Sequence, residues 1–111
     1  HNVAMGNQDP AGTFDALRRT NADVILLQEA GGNFYPQLAR LAALYPYHSR
    51  CRPGCDMAMF SRVRFADRPK WKLRKEDGKP FGTALIWAKL LLPGGRDALL
   101  VTWHAPWPVP G

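Results

Sequence analysis

The sequence lacks several things that would place it in a broad class at once. No apolar run approaches the roughly 20 residues that a helical bilayer span needs, which excludes such a span within these 111 residues. Internal repeats and low-complexity tracts are missing, which excludes repeat architectures. Acidic residues are scarce: nine Asp and Glu stand against fifteen Lys and Arg, for a formal charge of +6. That balance points to a polyanionic partner or an acidic membrane surface and says nothing about fold. Cysteine occurs twice, at Cys51 and Cys55 of CRPGC, and no second Cys or His pair follows at the spacing zinc requires. The Pro53-Gly54 turn favours closing the pair as a disulfide, which would imply an oxidising compartment. Two reduced thiols in a surface loop are the alternative. An initiator Met and a signal peptide are also missing. The chain opens at His1-Asn2-Val3, inside what reads as a strand, and closes on PWPVPG. Both ends read as cuts, so the expectation is a part of something longer.

What is present is a small globular domain, since 46% hydrophobic residues and four tryptophans exclude disorder. Asn2 to Met5 reads as a short apolar strand. In NQDP, Asp9 supplies a helix N-cap and Pro10 the first helical position. Phe14 and Leu17 form an inward stripe over Pro10 to Thr20, with Arg18 and Arg19 at the helix's negative end. A strand from Asp23 to Gln28 follows, with Val24, Ile25, Leu26 and Leu27 apolar on both faces, as in a central strand covered on both sides. Phe34, Leu38 and Leu41 predict a second helix from Asn33 to Ala43. PYHSR and DMAMFSR read as short strands. In RFADRPKWKLR, Pro69 argues for a sheet edge. Gly82 to Leu92 and Asp97 to His104 are the longest strands, joined by a turn at Pro93-Gly94-Gly95-Arg96. Two strand–helix units followed by a run of strands predict an α/β fold: one mixed sheet with two helices on one face. The strands are too apolar for the other face to meet water, so something must cover it.

The stretch ADVILLQEAGG poses the functional question, because a buried strand ends there by presenting an amide and a carboxylate. If the first two strands are parallel neighbours, Asn2 and Glu29 open on the same rim, where open α/β sheets place ligands. His104 closes the last strand. One carboxylate with an Asn nearby suits magnesium, which takes hard oxygen ligands and shares its shell with substrate phosphates. An imidazole there could donate to a phosphate oxygen or carry a proton. Taken singly, each residue has an ordinary explanation: a solvated loop Glu, a turn Asn, a packed His.

Their order along the chain is more specific. NVAMGN, ADVILLQE, DMAMFSR and LLVTWHAPWP together resemble the first half of the endonuclease/exonuclease/phosphatase superfamily of metal-dependent phosphoesterases. The matching positions are Asn2, Leu27-Gln28-Glu29, Ser61-Arg62 and Thr102-Trp103-His104, in order over the whole 111 residues. Trp103 stands between Thr102 and His104, where many relatives have Thr and His adjacent. The resemblance implies Glu29 as the Mg2+ ligand, with Mn2+ as a substitute, and Gln28 as the residue that fixes Glu29. It implies catalytic roles for Asn2, orienting metal or phosphate, and for His104, which would stabilise charge on the scissile phosphate. Ser61 and Arg62 look structural.

The same resemblance implies a partial domain over residues 1–111, about half of a four-layer α/β/β/α sandwich. The family's second half supplies an Asp-x-Asn pair and an Asp-His pair that activates water; after His104 this sequence has seven residues, none acidic. The chain alone is therefore expected to be inactive. An apolar sheet face, either Ala84, Ile86, Ala88 and Leu90 or Leu85, Trp87 and Leu91, is expected to be bare and to associate with the missing half or with a second copy. Expected substrates are phosphoesters: nucleic acid, phospholipid or a small phosphoester. Relatives that share the Asn2–Asn7 spacing and the Trp-Pro after the His carry membrane helices ahead of the domain. They imply an extracytoplasmic domain of a membrane-anchored bacterial protein, with a cytoplasmic location otherwise. The rival is a non-catalytic basic module that binds nucleic acid or anionic membrane through Arg64, Arg68, Lys70, Lys72, Arg74, Lys75 and Lys79 around Trp71. Lysines on an edge strand also deter aggregation, which gives that run a purely structural reading.

Overall fold

The computed structural model describes residues 8–49 and 57–103. Helix α1 spans Pro10–Arg19, and its start is built as the sequence predicts. The Asp9 carboxylate accepts from the Gly12 N–H at 3.0 Å, and Pro10 occupies the first turn, where a missing N–H costs nothing. A Cβ at Gly12 would run into that carboxylate, so the glycine leaves room for the cap. Phe14 and Leu17 are buried. Asn21, at φ +52°, ends the helical course in the left-handed conformation that Asn tolerates.

Strand β1 is Val24–Gln28, and helix α2, Tyr35–Leu44, follows a 3-10 turn at Gly32–Phe34. Strands β2 (Tyr47–His48) and β3 (Met57–Ser61) complete a three-stranded sheet in the order β1-β3-β2, antiparallel throughout. Its helix-facing side carries Ile25 and Leu27 from β1 with Ala58 and Phe60 from β3. They pack against Phe14, Leu17, Phe34, Leu41 and Tyr45. Every residue of β3 is buried, so among the described residues β3 holds the central, doubly covered position expected of β1.

Strands β4 (Lys70–Glu76), β5 (Lys79–Leu91) and β6 (Asp97–Trp103) form a second antiparallel sheet in chain order. The expected α/β class holds, with the strands divided between two antiparallel sheets where a single mixed sheet is the expectation. The division has a physical basis. Met57 and Met59 leave β3 on the side away from the helices and pack with Ile86 and Ala88 of β5, joined by Leu26, Phe65 and Leu100. The second sheet is thus what covers the far face of the first. Ile86, Ala88 and Leu90 are buried; the other face of β5 and β6 is open, with Leu99 and Trp103 each 61% exposed.

The segment 64–76 divides at Asp67–Pro69. Phe65 bridges to Leu90, Ala66 donates to the Lys89 carbonyl at 2.8 Å, and β4 begins only after Pro69. β4 lies at the sheet edge, as Pro69 predicts, and its register shifts twice, beside Leu73. The β4–β5 hairpin turns on Asp77 (φ +50°) and Gly78 (φ +75°), both left-handed as a type I′ turn requires. The β5–β6 turn uses Gly94 and Gly95 in the same region and closes with Leu92 N–H donating to the Arg96 carbonyl at 2.7 Å.

Candidate active site at the tips of β1 and β6

β1 ends with Gln28, whose side chain settles where the strand tip lies. Its Nε2 donates to the Trp103 carbonyl at 2.8 Å, a bond between residues 75 apart in sequence and between the two sheets. Trp103 is the last residue of β6. The residue after Gln28 is Glu29, and the residue after Trp103 is His104. One hydrogen bond therefore joins the immediate neighbours of two candidate residues across the rim where the two sheets meet.

Glu29 itself departs from the strand. Its φ is +54°, a left-handed conformation that is uncommon outside glycine and asparagine and costs a residue of this kind on the order of 1 kcal/mol or more. The turn sends the chain inward: Ala30 is fully buried in the helix-side core and Gly31 is buried too. The Gly31 carbonyl then accepts from Phe34 N–H at 3.3 Å, starting the turn that leads into α2. Glu29 is pinned on one side by the β1 pairing and on the other by a buried alanine. Its side chain is half-buried, and no cation among the described residues pairs with it.

A half-buried carboxylate with no internal partner, held in a strained backbone, is a candidate ligand for an external cation. The donor is hard oxygen. Among the described residues no group of three or more His, Cys, Asp or Glu gathers, so a closed all-protein cage of the zinc type does not form there. The donor set fits an ion that takes one carboxylate and fills its shell with water and substrate oxygens, as Mg2+ does. Asn2 and His104 lie outside the described residues, as do Cys51 and Cys55 with their proposed disulfide.

Ser61 and Arg62 belong to the opposite end of the first sheet, where Ser61 pairs with Val24 while Gln28 pairs with Met57. Four residues of strand, about 13 Å, separate them from the Glu29 tip. The buried Ser61 hydroxyl donates to the Val63 carbonyl at 2.7 Å and accepts from the Val63 N–H at 2.9 Å, closing a local turn. Arg62 lies 3.6 Å from the Asp23 carboxylate, donates to the Asn21 carbonyl at 3.2 Å and sits over the Tyr45 ring. The Tyr45 hydroxyl donates to the Ala22 carbonyl at 2.7 Å. These residues lock a strand end to a loop, as the sequence suggests, and take no part at the rim.

Sequence reasoning missed the Trp103 carbonyl as the anchor for Gln28, because a backbone acceptor leaves no mark in a sequence. It also missed the left-handed Glu29, although Gly31 and Gly32 just beyond it signal a sharp turn. His48, likewise unnoticed, stacks on the Phe60 ring beside an apolar cleft of about 440 Å³ lined by Tyr35, Leu38, Ala42 and Ser49. The Ser49 hydroxyl there accepts from Met59 N–H at 2.9 Å and is engaged within the fold.

A family model described as the Endonuclease/Exonuclease/phosphatase family matches residues 1–111, the whole chain. No curated protein and no solved structure matches it.

Proposed function

The chain belongs to the endonuclease/exonuclease/phosphatase family, and from that premise we propose that it carries one wall of a Mg2+-dependent phosphodiesterase site where the tips of β1 and β6 meet. The family is one of metal-dependent phosphoesterases that generally use divalent ions. The observation that carries the finer reading is the Gln28 bond to the Trp103 carbonyl, since it brings the segments bearing Glu29 and His104 to one rim.

In this reading Glu29 holds the ion, with Mn2+ able to replace Mg2+, and Gln28 holds the strand tip that presents Glu29. When bound, the ion supplies Lewis-acid polarisation of a phosphoryl oxygen. The Asn2 amide orients the phosphate, and His104 donates a hydrogen bond to the scissile group as charge develops on it. The described residues gather no second carboxylate or imidazole beside Glu29 that could activate water. Lacking such a base typically costs a factor of roughly 100 to 10,000, so these 111 residues, read as a partial domain, bind metal and phosphate without efficient turnover. The substrate class is a phosphodiester, in nucleic acid, in a phospholipid headgroup or in a small ester.

The test is amide correlation spectroscopy of the chain titrated with MgCl2 and inorganic phosphate. Shifts are expected at residues 28–32 and 101–104, lost in Glu29→Gln and retained in Lys70→Gln. Shifts that persist in Glu29→Gln, or that fall elsewhere, would remove Glu29 as the ligand. Phosphodiester turnover by the unmodified chain, abolished by Glu29→Ala, would overturn the incompleteness of the site while keeping its location.

A further inference from the structure

The outer face of the second sheet differs from every other surface of the molecule. Residues directly opposite one another in an antiparallel pair share a face. The register therefore sets Lys70, Trp87 and Val101 in one row across β4, β5 and β6, and Lys72, Leu85 and Trp103 in the next. Lys89 stands opposite Leu99 on the same face. Cations thus collect towards β4 and apolar side chains towards β6. Leu99 and Trp103 are 61% exposed and Val101 is 50% exposed, side by side on one strand. Between the two zones, Arg68, Lys70, Lys89 and Trp87 line an open groove of about 570 Å³. Asp67 and Asp97 are the acidic residues of this groove, and Asp67 already pairs with Lys70 at 3.7 Å.

We propose that this face docks on an anionic phospholipid bilayer, with Leu99, Val101 and Trp103 entering the interface and Lys70, Lys72, Lys89 and Arg68 meeting lipid phosphates. Two weak signals of different kinds, an apolar insertion and a cluster of bases, together make stable membrane attachment where either alone is marginal. An exposed tryptophan suits the headgroup level, where one side of the ring is apolar and the other wet. A second copy of this chain is a poorer occupant, because the face holds few acids to meet its own lysines and each copy carries a net charge of +6. Single-stranded nucleic acid is poorer too. It would use the lysines and stack on Trp103, but the aliphatic surface of Leu99 and Val101 offers its bases nothing directional. The inference stands apart from the phosphodiesterase reading, since none of these side chains is a proposed ligand of metal or substrate.

The experiment is flotation of the 111-residue chain with phosphatidylcholine vesicles, with and without phosphatidylserine, while following tryptophan fluorescence. Binding and a blue shift are expected on the phosphatidylserine vesicles only, weakening as salt is raised. Lys70→Gln with Lys72→Gln is expected to weaken binding by at least tenfold, each base near the surface contributing severalfold. Leu99→Ser with Val101→Ser should abolish the blue shift while circular dichroism stays unchanged, both side chains being largely exposed. Equal binding to pure phosphatidylcholine, or no binding to either vesicle, would overturn the proposal. So would a stable dimer whose dissociation follows the Leu99/Val101 substitutions, or tighter binding to a single-stranded oligonucleotide through the same lysines. Loss of vesicle binding leaves the Mg2+ response of Glu29 intact, so the two readings fail separately.

Discussion

The two sheets are built alike, three antiparallel strands each, and end in opposite conditions. The first is sealed. Helices close one face over Ile25, Leu27, Ala58 and Phe60, the second sheet closes the other over Met57 and Met59, and β3 has no exposed residue. The second is sealed on one side only. Ile86, Ala88 and Leu90 face inward while Leu91, Leu99, Val101 and Trp103 stay open. The comparison teaches that an apolar strand is not in itself a core strand. β3 and β6 are comparably rich in large apolar residues, and what separates them is whether a neighbour exists on each side. Burial contributes stability through the area removed from water, so the first sheet should carry the fold, leaving the outer face of the second free for another use.

Substitutions can break that contrast in descending order of effect. Leu41→Ala, fully buried on the helix side, should destabilise by about 2–5 kcal/mol in urea unfolding, through lost transfer energy plus a cavity. Leu99→Ala on the open face should stay within about 0.5 kcal/mol. Equal losses at the two sites would dissolve the distinction. Asp9→Ala, removing the cap of α1, should cost about 1 kcal/mol by the same measurement. Gln28→Ala removes a bond exposed to water that joins the sheets, and should cost about 0.5–1.5 kcal/mol. Its sharper signature is a weakened Mg2+ response at residues 28–32 in amide spectra, which a purely structural role would leave unchanged. Glu29→Gly relieves the left-handed strain and should raise stability by up to about 1 kcal/mol while removing the Mg2+ response. A destabilised Glu29→Gly protein would mean that the carboxylate, not its backbone, matters to the fold. The smallest effect belongs to Gly12→Ala. Helix propensity favours the change by about 1 kcal/mol and the displaced Asp9 cap opposes it by a similar amount.

Local features of this fold were readable in advance because they rest on neighbours in sequence. Asp9-Pro10 starts α1, Pro69 keeps β4 off the sheet centre, and Gly94-Gly95 turns the last hairpin. The choice of strand partners was not readable in the same way. Met57 and Met59 look like any alternating strand until β5 is known to pack on them, and that packing is what makes two sheets instead of one. Asp77-Gly78 carries a strong hairpin signal that went unread, because lysines, an arginine and a glutamate around it obscure the strand pattern. At the candidate site the Gln-Glu tip of an apolar strand announced itself. Its anchoring carbonyl on β6 and the left-handed backbone of Glu29 are products of tertiary structure, while Asn2 and His104 lie outside the described residues.

The Gln28–Trp103 bond carries one more consequence, for the order of assembly. Its partners are 75 residues apart, and each closes a strand of a different sheet. Contacts of such long sequence separation come at a high loop-closure cost and form only after the structures they connect exist. The rim is therefore a late event in folding: a chain with either sheet unformed has no place to present Glu29. Phosphate or magnesium response at that rim would then serve as a reporter of a finished molecule, appearing in refolding after the β5–β6 hairpin amides are already protected from exchange.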